Sequence, residues 1–251
     1  MKKMLLMLAV IIPISLIFNG QDFWSAFAER RFGESEECFD VLFFCNAFGF
    51  IYLQNSSLEY MLYTLTVCVP FLFMFGHTMS DNLNVSDIYV FIRENKRTKW
   101  FMKNTIRIFW QSTIITLANI AIIWSMTAKT AIIKKPENLE KILWIAVLMI
   151  IYIWILIIAS NFLSALFGST IGLALGSALH YVFVMAARYG FENNFIKKVD
   201  PLAVVFNVVE DRENVVTAVS TMIVILAIVC AIFCLYVNKS DISLKNKEII
   251  V

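Results

Sequence analysis

The sequence predicts an all-α integral membrane protein, and three observations lead to that class. Hydrophobic residues make up 60% of the 251 residues, charged residues make up only 16%, and the mean hydropathy is +0.75. A soluble domain is about 45–50% apolar and about 25% charged, so this chain has more apolar surface than one core can remove from water. The apolar runs are continuous and about twice as long as the ~10-residue alternating segments of a membrane β-barrel.

Six apolar runs are predicted to cross the membrane as helices, within a single transmembrane domain over residues 1–251. Crossing ~30 Å of hydrocarbon at ~1.5 Å per residue takes about 20 residues, which most of the runs reach. The predicted spans are 4–18, 60–79, 106–126, 142–162, 170–187 and 215–237. Pro70 lies in the middle of the second span and is expected to kink it unless neighbouring helices satisfy the freed carbonyl.

The first run has a second interpretation, as a signal peptide. Two lysines precede it, and the small-x-small sequence Ala26-Phe27-Ala28 follows it, as at a cleavage site. About ten residues, including Trp24, separate the apolar core from that site, which favours an uncleaved span.

The segment 39–53 is also ambiguous. Asp40, Asn46 and Gly49 interrupt its 15 residues. An interfacial or re-entrant helix is therefore favoured over an additional transmembrane crossing. Cys38 and Cys45 flank its beginning and could form a disulfide only if the chain turns between them, because seven helical residues would hold them about 10 Å apart.

Orientation is predicted from the densest group of cations in the chain. Six lysines and arginines fall within residues 93–107, between the second and third spans, in the stretch "YVFIRENKRTKWFMKNTIRIF". The positive-inside rule places this stretch in the cytoplasm, and six spans then place both termini there too. The four lysines of the loop 129–141 lie on the outer side in this topology and fit it least well.

Motifs for enzymatic chemistry are missing from the sequence. No GxxxxGK[ST], HExxH or GxSxG pattern occurs, and the cysteines and two histidines show no metal-ligand spacing. We therefore expect a non-catalytic protein without cofactor, metal or nucleic-acid partner. The predicted spans also hold no charged residue at mid-depth, which indicates that a transported substrate would be driven from elsewhere. His180, inside the fifth span, is more simply explained as a neutral residue bonded to a neighbouring helix.

Small residues recur every four positions near the fourth and fifth spans. The members are Ser160, Ser164, Gly168, Gly172 and Gly176. Such faces let helices approach closely, so we expect packing between the two spans, with a hairpin near Leu163–Ser169. A dimer seam on Gly168, Gly172 and Gly176 is the alternative. Further along, the apolar patch "PLAVVFNVV" of the loop 188–214 is expected either to dip into the membrane surface or to form an ordered loop.

The basic stretch also has two interpretations. It is expected to be helical from Ser86 onward, and a helix in the interface plane would direct its rings to lipid and its cations to headgroups. Alternatively, its surface docks a soluble motor protein.

The second interpretation comes with a resemblance. Six spans, the basic stretch between the second and third, and a last span running directly into "YVNKSDISL" resemble the type-2 permease subunits of ATP-binding-cassette transporters. More narrowly, the chain is similar to small permeases of peptide export and bacteriocin immunity in Gram-positive bacteria.

The resemblance implies a multi-pass permease of the plasma membrane that expels amphipathic or antimicrobial peptides. Its partners would be a separate ATPase subunit, a second permease copy or paralogue, and membrane lipid. The loop between spans two and three would be the coupling helix that sits in a cleft of the ATPase. By position, the residues implicated are Arg93, Glu94, Lys96, Arg97 and Trp100.

An alternative function is a six-span membrane component that captures a small ligand such as a vitamin. Its binding site would be formed by polar residues around His180, Asn161 and Asn119.

Overall fold

The fold is known from a computed structural model, which describes Ala9 and residues 68–85, 97–127, 136–189, 194–209 and 214–239. Within these ranges the protein is helical, with short connections and no strand, so the predicted all-α class is confirmed there. The helices are α1 (described over residues 68–75), α2 (Thr78–Val85), α3 (Arg97–Thr127), α4 (Pro136–Phe167), α5 (Ser169–Tyr189), α6 (Asn194–Val199), α7 (Pro201–Val209) and α8 (Val215–Lys239). The predicted span 4–18, the segment 39–53 and the cysteine pair Cys38–Cys45 lie outside the described residues.

Three of the described helices are long and apolar enough to cross a membrane. They are Leu143–Phe167, Ser169–Ala187 and Val215–Lys239. These segments coincide with the predicted fourth, fifth and sixth spans to within a few residues, so the protein is a membrane protein. The count of six spans and the cytoplasmic position of the termini stay predictions.

The predicted third span is part of a longer helix. α3 begins at Arg97 and continues to Thr127, a length of 31 residues, so the second half of the basic stretch forms its first turns. At ~1.5 Å per residue α3 is about 46 Å long, more than the ~30 Å of hydrocarbon. Polar Gln111, Ser112 and Asn119 interrupt its apolar character, and α3 is not among the three helices named above.

α4 and α5 form an antiparallel hairpin with a one-residue turn at Gly168. This glycine has a φ of 93°, the left-handed conformation that ends many helices and that glycine adopts without steric cost. Its N–H donates to the Ser164 carbonyl, and its own carbonyl accepts from the Gly172 N–H. The hairpin expected near Leu163–Ser169 is therefore present.

The apolar patch before the last span is a buried helix. Every residue of α7 from Pro201 to Val208 is buried, and the helix packs against α4, α5 and α8. The interpretation of this patch as an irregular loop is thus wrong, while its position relative to the membrane surface stays a prediction. The physical reason is that neighbouring helices surround α7 on its apolar sides and replace lipid as its solvent.

Two apolar clusters fill the bundle. The first joins α7 to the middle of α4, to α5 and to the beginning of α8; the second joins α1 and α2 to α3 and to the end of α8. Cys68 is buried in the first cluster, while Cys230 and Cys234 pack against the second, and all three are free thiols. They pack as small hydrophobic residues, as the sequence predicted.

The beginning of α3, the α4–α5 turn and the end of α8 lie at one end of the bundle. The Tyr236 hydroxyl donates to the Ala165 carbonyl over 3.2 Å, and the Arg97 guanidinium reaches the Asn238 carbonyl over 3.4 Å. We call this the basic end, formed by residues 97–104, 164–169 and 234–239. α7 lies towards the opposite end.

Candidate functional site

The second predicted span is interrupted at Gly76–His77, six residues after Pro70. The Gly76 N–H still donates to the Leu72 carbonyl over 2.7 Å, and a new helix starts where the Asp81 N–H donates to the His77 carbonyl over 2.9 Å. The chain around Pro70 is helical. Within the described residues the break lies at Gly76–His77, where side chains of α4 replace part of the backbone ladder. The turn before Pro70, on which the expected kink depends, lies outside the described residues.

Asn161 of α4 bridges this break with its side chain. Its Oδ1 accepts from the Met79 N–H over 2.8 Å, and its Nδ2 donates to the Phe75 carbonyl over 2.5 Å. The same Nδ2 donates to the Ile157 carbonyl of its own helix over 2.8 Å. The side chain is fully buried, and both amide hydrogens and the amide oxygen have partners within the chain.

Two serines of α4 extend the polar contact along the break. The Ser164 Oγ donates to the Gly76 carbonyl over 3.1 Å, and the Ser80 Oγ donates to the Ser164 carbonyl over 3.1 Å. Ser160 lies against Gly76, where a methyl group would be 2.5 Å from the Ser160 Oγ. Hydrogen bonds of this kind satisfy backbone groups that the break would otherwise leave unpaired in an apolar medium.

The same serines face α5 on their other side. A methyl group at Gly176 would lie 2.6 Å from the Ser160 Oγ, and one at Gly172 would overlap the backbone and the Oγ of Ser164. Gly172 and Gly176 are thus packed inside one chain, whereas Gly168 is exposed and has no neighbour within 4 Å of such a methyl group. A dimer seam through Gly172 and Gly176 would first require α4 and α5 to separate.

At the basic end, hydrogen bonds connect the first turn of α3 to the last turn of α8. The Arg97 Nη1 lies 3.4 Å from the Val237 carbonyl and 3.4 Å from the Asn238 carbonyl, and the Asn238 Nδ2 donates to the Thr98 hydroxyl over 3.1 Å. A guanidinium at a helix C-terminus is favourable because the last carbonyls carry partial negative charge.

The predicted coupling residues are only partly described. Arg93, Glu94 and Lys96 lie outside the described residues. Arg97 caps α8, and Trp100 packs against the second apolar cluster, beside Phe101. Phe101 is buried and meets Phe233 of α8 edge to face, with ring centroids 5.2 Å apart.

His180 pairs with a tyrosine of the neighbouring helix. The Tyr152 hydroxyl lies 2.6 Å from the His180 Nδ1, and both side chains are fully buried. The His180 Nε2 is buried and, within the described part of the chain, has no hydrogen-bond partner. The expected contact of His180 with a neighbouring helix is therefore present. Asn161, the second residue of the alternative ligand site, instead uses its side chain to bond the backbone at the break.

Asp200 begins α7 and is 5% exposed. Its Oδ1 accepts from the N–H groups of Leu202 over 2.9 Å and Ala203 over 3.4 Å, so it caps the helix. Its Oδ2 is buried and has no hydrogen-bond partner among the described residues. Burial raises the pKa of this carboxyl to about 7, since the two backbone hydrogen bonds offset only part of the loss of hydration.

Sequence analysis did not anticipate three of these residues: Gly76, Tyr152 and Asp200. Two signals were available in the sequence. Gly76 is followed by His-Thr inside an apolar run, and Asp200 precedes a proline at the start of another apolar run. Within the described part of the chain, no group of three His, Cys, Asp or Glu side chains could hold a metal ion.

The family model described as "Protein of unknown function (DUF2705)" matches residues 6–243, and the chain therefore belongs to this family. No curated protein matches the sequence. No solved structure matches it either. The family match extends over the basic stretch, the break at Gly76–His77 and every helix from α1 to α8.

Proposed function

We propose that this chain is the permease subunit of an ATP-driven exporter in the plasma membrane, driven by a separate ATPase subunit. The observation that supports this most is the continuity of the basic stretch with α3. Residues Arg97 to Lys103 are the first turns of a 31-residue helix, so a partner bound there would act on a long rigid element.

The contacts at the basic end extend that action to the last helix. Arg97 and Thr98 bond the end of α8, and Phe101, about one turn further along α3, packs on Phe233. A displacement of the first turn of α3 would therefore move α8 with it. Two predicted spans would respond to one cytosolic contact, as the coupling of an external motor requires.

The composition of the helices agrees with an external source of energy. The three segments long and apolar enough to cross the membrane contain a single charged residue, Lys239, at the very end of α8. Ion-coupled transport uses ionisable residues inside the membrane. The resemblance to peptide-export permeases supplies the proposed substrate, an amphipathic or antimicrobial peptide, and the second permease copy or paralogue.

The proposal is tested by co-purification of the full-length chain with an ATPase encoded beside its reading frame. Arg93→Ala combined with Lys96→Ala removes two predicted contacts, and we expect at least a tenfold loss of ATPase association. Lys239→Ala is the matched control, because it removes an exposed cation at the same end of the bundle outside the coupling stretch.

Arg97→Ala and Trp100→Ala are measured in addition. Arg97→Ala also removes the cap of α8, so its thermal stability is compared with that of Arg97→Lys, which keeps a cation near the carbonyls. Unchanged ATPase association and unchanged stimulated ATP hydrolysis in the Arg93/Lys96 double variant would refute the coupling role.

A further inference from the structure

We propose that the break at Gly76–His77 is a hinge between two states of one helix, and that the Asn161 side chain is the latch that holds the broken state. This inference goes beyond the permease function and does not depend on an ATPase partner. It rests on which backbone groups Asn161 and its neighbours contact.

The bridged groups are those that a continuous helix would pair directly. Met79 and Phe75 are four residues apart, so in an unbroken α-helix the Met79 N–H would donate to the Phe75 carbonyl. Asn161 stands between these two groups, accepting from the first and donating to the second. The amide side chain thus acts as an insertion in the backbone ladder, one of the known causes of a helix kink.

Two further hydrogen bonds follow the same pattern. The Thr78 hydroxyl donates to the Met74 carbonyl over 2.9 Å, and the Ser164 hydroxyl donates to the Gly76 carbonyl over 3.1 Å. In a continuous helix these carbonyls would accept from the N–H groups of Thr78 and Ser80. Side chains therefore occupy three successive acceptors across the break, at Met74, Phe75 and Gly76.

Closing the break would exchange the two hydrogen bonds that Asn161 makes with Met79 and Phe75 for one backbone hydrogen bond between those residues. The two backbone groups are therefore paired in both states, whereas the released Asn161 amide loses two partners in the apolar bundle, so the side chain favours the broken state. An element with two such discrete arrangements can switch, whereas a tightly packed core cannot deform gradually. Gly76 permits the approach of Ser160, and its φ is not in the left-handed region, so its role here is space.

The consequence is that α2 changes direction relative to α1 when the latch opens. α2 ends at Val85, shortly before the basic stretch, and its Ser80 contacts the end of α4. A hinge at this point lets the segment that leads to the basic stretch move while α1 stays packed on α4.

The test measures the distance between α2 and the end of α4 in the full-length protein in lipid nanodiscs. Spin labels are placed at Asp81 and Phe167, both of which have exposed side chains, in a background with all five cysteines replaced by serine or alanine. Asn161→Leu removes the latch while keeping the number and branching of the side-chain heavy atoms. We expect a second distance population displaced by at least about 3 Å, since one helical turn corresponds to ~5.4 Å.

Thr116→Val is the matched control, because Thr116 is also buried and, among the described residues, its hydroxyl bonds only the Ser112 carbonyl of its own helix. It should leave the distance distribution unchanged. Asn161→Asp keeps the acceptor for Met79 but loses both amide donors, and should populate the same second distance partially. This variant also serves if Asn161→Leu does not fold.

A single, unchanged distance in both Asn161 variants, together with lower thermal stability, would show that Asn161 only stabilises a fixed kink and would overturn the hinge. The same outcome would leave the ATPase co-purification untouched. Failure of the hinge and failure of the permease function are therefore distinguishable.

Discussion

The region between α4, α5 and the broken helix differs from the region around α7 in how it achieves close packing. In the first, small residues and hydroxyl groups bring backbones together, and hydrogen bonds from Asn161 and Ser164 connect the helices. In the second, mainly aliphatic side chains between Leu202 and Val208, together with Phe206, fill the space between α4, α5 and α8. One region is held by few directional bonds and the other by many weak contacts.

The difference indicates which region can move. Lipid offers no hydrophobic driving force for helix association, so packing and hydrogen bonds decide the contact. A contact made of a few hydrogen bonds can be exchanged when the backbone groups involved can pair with each other, as Met79 and Phe75 can. An interlocked aliphatic layer has no such alternative partner, because each side chain would leave a cavity. We therefore assign motion to the break and rigidity to α7.

The largest effect is expected from Gly172→Ala. The added methyl group would overlap the Ser164 backbone. Unlike a side chain, this backbone cannot avoid the overlap by changing rotamer. We expect a loss of more than about 4 kcal/mol in the free energy of unfolding, above the usual range for overpacked sites, because the overlap is with backbone atoms. Equilibrium unfolding in mixed detergent micelles measures it, with Ala178→Gly on the exposed face of α5 as control. A stable Gly172→Ala protein would contradict the close packing of α4 on α5.

The second effect is a dependence of stability on pH through Asp200. The pKa of this carboxyl is raised to about 7 in the folded protein, against about 4 when unfolded. The folded state therefore holds the proton more tightly, and stability is complete below about pH 4 and falls as pH rises to about 7.

Asp200→Asn keeps a capping oxygen but cannot ionise. At pH 7.5 the variant should be more stable than the natural protein, by up to about 4 kcal/mol, and at pH 4 the two should agree. The difference between their unfolding free energies across this range isolates Asp200 from other titrating groups. A difference that stays constant with pH would exclude a buried, unpaired carboxyl at this position.

A smaller effect is expected from Leu202→Ala in α7. Leu202 is fully buried in the first apolar cluster, so its truncation leaves a cavity among rigid neighbours. We expect a loss of about 2–3 kcal/mol, the lower part of the range for buried leucines, because the surrounding lipid reduces the solvent-transfer contribution. Ile223→Ala, on the exposed side of α8, should cost less than about 0.5 kcal/mol. Equal losses in both variants would argue against a rigid α7 layer.

The smallest and most specific effect concerns Gly176→Ala. Its methyl group would meet the Ser160 side chain, and this neighbour can be removed. We expect a loss of about 1–2 kcal/mol, largely restored by adding Ser160→Gly. Thermal denaturation of the single and double variants measures this coupling. Additive losses without rescue would show that Gly176 and Ser160 are not in contact.

Much of the fold could be predicted from the sequence. The last three spans were placed within a few residues because each is a continuous apolar run bounded by polar or charged residues. The hairpin at Gly168 was expected from the small residues around it. α7 was misjudged, because nine apolar residues between charged flanks look alike whether lipid, water or other helices surround them.

The candidate site was less accessible to sequence reasoning. The sequence suggested Asn161 only as part of an alternative ligand site, yet its hydrogen bonds are made with Met79 and Phe75, more than 80 residues away in the chain. Pro70 was the evident candidate for a kink, while the observed break follows Gly76. Local propensity cannot predict which helix will supply hydrogen bonds to an interrupted one.

The amino-acid composition by itself determined that this chain is a helical membrane protein. In lipid the backbone polar groups must be paired within the protein, and helices do this for so apolar a chain. The tertiary structure alone decided where a helix breaks and which side chains hold it there. The physical reason is that a backbone group in an apolar medium must find a partner, and for Phe75 and Met79 that partner is supplied by a helix distant in the sequence.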